Sequence, residues 1–105
     1  MPDLPYTIDD IRRLCAERKI LFKDHATQRM LRRGIKRKDV FDCIMNGEII
    51  EKYPSDKPFP SCLIMSASPL HVVCSTDFES IYIITAYKPN TLIFDNDYKT
   101  RRKQK

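Results

Sequence analysis

The sequence predicts an α+β fold, with N-terminal helices packed on one face of an antiparallel sheet of four or more strands. Two observations predict it. As far as Asn46 the apolar residues recur at helical spacing; from Glu48 onward they fall in short β-branched runs separated by turns. Helices first and strands second is the order of an α+β architecture. The chain has 105 residues, 42% of them hydrophobic, with five Phe and five Tyr. That is one domain's length and enough apolar material for a packed core, so residues 1–105 read as a single domain. Only the ends, 1–6 and 100–105, are expected to be loose.

Thr7 precedes Ile8, Ile11, Leu14 and Cys15. This spacing predicts a helix over residues 7–18, with Thr7 as N-cap and Asp9 and Asp10 in the first turn. Ile20-Leu21-Phe22 is long enough for a turn or a short strand. Asp24 is the expected cap of a second helix over 25–33, stopped by Gly34, which accepts a left-handed conformation. A third helix over 36–46 buries Val40, Phe41, Ile44 and Met45 against the sheet and ends at Asn46-Gly47. Strands follow over 48–53, 62–66, 70–76 and 80–87, around a loop at 54–60 that holds three prolines. Antiparallel hairpins are the economical connection. Residues 91–98 fit a short strand or helix.

The four cysteines, Cys15, Cys43, Cys62 and Cys74, have irregular spacing and apolar neighbours, so buried free thiols are expected. No stretch is long and apolar enough to span a bilayer, and the first residues do not have the pattern of a signal peptide. A cytoplasmic protein without membrane contact is the expectation.

The formal net charge is +5. Residues 19–38 hold Lys19, Lys23, Arg29, Arg32, Arg33, Lys36, Arg37 and Lys38 against Asp24 alone. The tail holds Lys99, Arg101, Arg102, Lys103 and Lys105 without an acid. Clustered cations suit a polyanion or an acidic protein; they equally suit a solvated basic face.

His25, Arg29 and Arg32 fall at i, i+4 and i+7 and share one helix face, with Gln28 beside them. His25 stands at the helix start, a place suited to a proton acceptor, and an arginine one turn on can fork a phosphate. His71, inside a strand, faces opposite to Leu70 and Val72: a structural histidine, or one lining a cleft. Tyr87 closes the last long strand; near lysines and arginines such a tyrosine can stack on a base or move a proton. No zinc-protease, P-loop or nucleophile-elbow motif occurs, and two glycines cannot build a phosphate-cradling loop. No metal site and no cofactor is expected. A nuclease of this composition would use the RNA 2′-hydroxyl as nucleophile, His or Tyr for proton transfer, and Arg or Lys for the phosphorane charge.

Several short motifs occur in order: His25-Ala26, Arg29-Met30, Arg33-Gly34-Ile35 and Asp39-Val40; Gly47-Glu48-Ile49-Ile50-Glu51 with Tyr53; Pro60-Ser61; Pro69-Leu70-His71-Val72-Val73; and Ile84-Thr85-Ala86-Tyr87 with Pro89. In these the chain resembles the family of small prokaryotic proteins known as domain of unknown function 4258, over roughly residues 25–102. The resemblance implies a fold similar to the RelE-like and barnase-like ribonuclease toxins, with an antitoxin protein as partner. The first helix lies outside the motifs and reads as an addition that packs on the sheet. The leading expectation is a toxin-type, metal-independent endoribonuclease acting on RNA. Its catalytic residues would be His25, Arg29, His71 and Tyr87, with Arg32, Arg33, Lys99, Arg101 and Arg102 on the RNA backbone. The alternative is a non-catalytic module that binds protein or nucleic acid through the same basic face.

Overall fold

The computed structural model describes residues 3–67 and 69–89. The elements are α1 (Ile8–Ala16), β1 (Ile20–Phe22), α2 (Asp24–Arg33), α3 (Arg37–Asn46), β2 (Glu48–Tyr53), β3 (Ser61–Met65), β4 (His71–Thr76) and β5 (Ile81–Tyr87). The strands form one sheet in the order β1-β5-β4-β3-β2. Residues 91–98, Lys99, Arg101 and Arg102 lie outside the described residues. No described helix is long and apolar enough to cross a membrane.

The fold is α+β, with one correction. The sheet is mixed, because β1 joins β5 in parallel, Ile20 beside Ile81 and Phe22 beside Ile83. The helices therefore do not all precede the strands: β1 separates α1 from α2. The hairpin argument holds for β2, β3, β4 and β5, which pair antiparallel in sequence order. It does not reach β1, whose partner comes after two helices and three further strands. A parallel pair requires such a crossover.

The core lies between the helices and one face of the sheet. Ile11, Leu14 and Cys15 of α1, Ala26 and Met30 of α2, and Val40, Cys43 and Ile44 of α3 meet Cys62, Ile64, Val72, Cys74, Ile81, Ile83 and Ala86. Val40 and Ile44 are fully buried, whereas Phe41 is only half-buried at the margin. Truncating Ile44 to Ala would cost about 2–5 kcal/mol. All four cysteines are buried and unbridged.

Strand β5 carries a bulge. Thr85 pairs with Val73 and Ile83 with Cys74, which leaves Ile84 as an extra residue. Strict alternation would send residues 81, 83, 85 and 87 to one face. The bulge instead turns Ala86 into the core beside Ile81 and Ile83, and places Thr85 and Tyr87 on the far face.

Thr7 caps α1 as expected: its Oγ1 accepts the Asp10 N–H at 3.3 Å and its own N–H donates to the Asp10 carboxylate at 2.8 Å. Asp24 is not the cap of α2. It is the first helical residue, Lys23 holds the cap position without a side-chain bond, and the Asp24 carboxylate meets the positive helix end directly. Two helices end alike. In α2, Gly34 (φ 67°) lets Ile35 N–H reach Met30 O at 2.9 Å. In α1, Arg18 (φ 64°) takes the glycine's place and Lys19 N–H reaches Leu14 O at 2.9 Å. Gly47 serves another purpose. A Cβ there would lie 2.5 Å from both Cys43 O and Met65 O, so only glycine lets α3 and β3 approach this closely. Ahead of α1, Tyr6 is buried and its hydroxyl donates to Pro60 O at 2.8 Å.

The left-handed backbone at residue 18 penalises any Cβ, so Arg18→Gly should be more stable than Arg18→Ala by about 1 kcal/mol in urea denaturation. Equal stabilities would show that this position carries no backbone cost. Burial pushes the Tyr6 phenol well up and the Cys15 thiol up to about 11. Both groups are acids whose folded values exceed the unfolded ones. The Cys15 contribution is complete below the ordinary thiol range and is lost as pH rises through about 11, whereas that of Tyr6 begins to be lost only above the ordinary phenol range. The urea midpoint should therefore fall over that alkaline window, and Cys15→Ala should make the fall shallower.

Candidate functional site

Helix α2 lies along β5, with Ala26 and Met30 in the core and His25, Arg29 and Arg32 exposed on one outer face. Among the described residues, neither Arg29 nor Arg32 has an ion-pair partner. The helix thus presents an imidazole and two uncompensated guanidiniums to solvent. Their common face follows from the 3.6-residue repeat, with the apolar stripe 26 and 30 fixing which side is turned in.

Arg33 behaves differently. Its Nη1 donates to Ala86 O at 2.9 Å and lies 3.4 Å from Thr85 Oγ1. β1 stops at Phe22, and the Lys23 N–H to Ile83 O bond at 3.4 Å is the last along that edge. Arg33 then occupies the edge that β1 leaves open and reaches towards the far face. Its expected place on the RNA backbone is at least partly taken up by this structural duty.

His71 and Tyr87 are direct cross-strand partners on the far face, their ring centroids 5.4 Å apart and tilted by 59°. The β5 bulge is what brings them together. His71 is 0% exposed and Tyr87 half-buried, so the tyrosine is the accessible member. Arg33 and Thr85 connect this pair to α2. His25 lies two turns before Arg33, about 12 Å along the helix axis.

Two concavities adjoin these elements. A cleft of about 700 Å³ opens between the Gly34–Ile35 turn, α3 and the β3–β4 hairpin, with Asp39, Asn46, Ser66 and Lys88 on its walls. None of the histidines and arginines singled out from the sequence lines it. A groove of about 490 Å³ lies beside β1 and is lined by Arg18, Ile20, Phe22, Arg37, Lys38, Phe41 and Asp42. Sequence reasoning missed this groove. Arg18 and Phe41 are far apart in the chain, and no periodicity pairs them. No cluster of three metal-ligating side chains occurs among the described residues.

The fold and this surface define a small α+β domain with a cationic helix face on one side of the sheet and a histidine–tyrosine pair on the other. The sequence model of one family, described as "Domain of unknown function (DUF4258)", matches residues 22–88, and the chain belongs to that family. Searches of curated proteins and of solved structures gave no match. The matched segment begins at Phe22, the last residue of β1, so α1 lies outside it while supplying Ile11, Leu14 and Cys15 to the shared core.

Arg33 and its neighbours on α2 separate in a stability assay. Arg33→Ala should cost about 1–2 kcal/mol, since it strips a charge-assisted bond from a strand carbonyl. Arg29→Ala and Arg32→Ala, both exposed, should stay within about 0.5 kcal/mol of the parent. Equal urea midpoints for all three variants would remove Arg33 from the fold's support.

Proposed function

We propose that this chain is a toxin-type endoribonuclease that cleaves RNA without a metal ion, has a fold similar to the RelE-like and barnase-like ribonucleases, and is restrained by an antitoxin protein. The observation that carries the reading is the α2 face, where His25, Arg29 and Arg32 stand exposed and neither arginine is neutralised by an acid among the described residues. In the proposed reaction His25 takes the proton of the RNA 2′-hydroxyl as O2′ attacks the adjacent phosphorus. Arg29 and Arg32 hold the non-bridging oxygens as charge builds on the phosphorane. The P–O5′ bond breaks and O5′ receives a proton from solvent at the α2 face. The products are a 2′,3′-cyclic phosphate and a free 5′-hydroxyl. His71 and Tyr87, the other two residues expected in catalysis, stand on the far face of the sheet and have no part in this step.

The burial of His71 favours a second reading, a non-catalytic module that binds nucleic acid or protein through the α2 face. It withdraws one of two histidines from direct contact with substrate.

Purified protein incubated with total RNA in excess chelator separates the two. Cleavage should persist, leave cyclic or 3′-phosphate ends and spare DNA, which lacks the 2′-hydroxyl. His25→Ala should lower the rate by about 10²-fold or more while changing RNA affinity little. Arg29→Ala should lower both. No cleavage by the parent protein, with the same substitutions changing affinity alone, would establish the binding module instead.

A further inference from the structure

The groove beside β1 is built differently from the α2 face. Arg18, delivered by its left-handed backbone at the end of α1, lays its guanidinium over the Phe41 ring, 5.2 Å from the centroid. Arg37, the first residue of α3, lies over the Phe22 ring at 5.0 Å. A cation–π contact with a ring holds the guanidinium in place and consumes none of its N–H donors. Among the described residues neither arginine forms an ion pair. Lys38 adds a third cation, and its amine is 4.0 Å from Asp42, the acid in the lining.

Two guanidiniums are thus held in place before any ligand arrives, which reduces the ordering cost of binding. The free plane of a stacked guanidinium and the half-buried rings offer flat surfaces to a nucleobase, and the free donors suit phosphate oxygens. The groove's volume of about 490 Å³ falls in the range of about 300–1,000 Å³ usual for ligand clefts. Phe22 precedes His25 by three residues, so their Cα atoms are within about 11 Å. A strand passing His25 can enter the groove.

We infer that this groove is a nucleotide subsite, which takes one unit of a single-stranded nucleic acid with its base against the arginine–phenylalanine stacks and its phosphate on Arg18, Arg37 and Lys38. It rests on the reading of RNA as ligand but does not require cleavage.

The test is fluorescence anisotropy with a fluorescein-labelled single-stranded DNA dodecamer, which cannot be cut through a 2′-hydroxyl. Arg37→Lys keeps the charge and loses the planar stack; Phe41→Leu keeps an apolar side chain and loses the ring. Each should weaken binding about five-fold or more. The Arg18→Ala/Arg37→Ala pair should also lower the salt slope by about 0.7 for each phosphate that the variant no longer neutralises. Thermal melting of each variant identifies any weakening that comes from unfolding, and the exposed Arg37→Lys decides if Phe41→Leu unfolds. No binding by the parent, parent-like binding by Arg37→Lys, or equal displacement by a glutamate-rich peptide of matched charge would overturn the inference. If the parent cuts no RNA but the binding pattern holds, the subsite stands without the nuclease. If the parent cuts RNA but folded groove variants bind DNA normally, the nuclease stands without the subsite.

Discussion

Past Ile83 the backbone of β5 has no strand neighbour on one side among the described residues, because β1 ends at Phe22. Main-chain groups left open at a sheet edge invite wrong pairing, and folded proteins cover or charge such edges. Here the covering is α2, docked through Ala26 and Met30, and the charge is Arg33 on Ala86 O. That one arrangement fixes the height of α2 against the sheet. It therefore also fixes where His25, Arg29 and Arg32 stand relative to Tyr87. A longer β1 would close the edge and take Ala86 O from Arg33, leaving α2 held by Ala26 and Met30 alone.

Much of this was legible in the sequence, and what escaped shares a physical character. Thr7, Gly34 and the 40/44 stripe act locally, through capping bonds, a left-handed turn and helical periodicity, and they emerge where expected. The parallel pairing of β1 does not, because three apolar residues carry no information about a partner many elements later. Nor does the β5 bulge: Ile84-Thr85-Ala86-Tyr87 looks like an ordinary alternating strand, and only the pairing with Val73 and Cys74 exposes the extra residue. At the candidate site, the shared face of His25, Arg29 and Arg32 follows from spacing alone. The division of labour between Arg33 and its neighbours does not, since a carbonyl on another element makes the difference. The Arg18–Phe41 and Arg37–Phe22 stacks were hidden for the same reason.

Helix α1 illustrates how a family boundary and a folding boundary differ. The matched segment starts at residue 22, yet Ile11 and Cys15 are fully buried in the same cluster as Val40 and Ile44. Arg12 ties the two layers further by donating to the carbonyls of Ile44 and Gly47 at the end of α3. Those carbonyls have no partner within the helix, so a guanidinium from α1 adds to the bond from Gly47 N–H to Cys43 O in closing the end of α3.

The extra residue in β5 also bears on how chain length varies among relatives. Removing Ile84 would restore regular pairing and still leave Thr85 and Tyr87 on the far face and Ala86 inside, so a one-residue gap here is silent for facing. The same deletion in the middle of β3 would exchange Cys62 with Ser61, or Ile64 with Leu63, across a strand buried on both sides. Insertions and deletions should therefore be tolerated at the bulge and excluded two strands away, whatever the residues concerned.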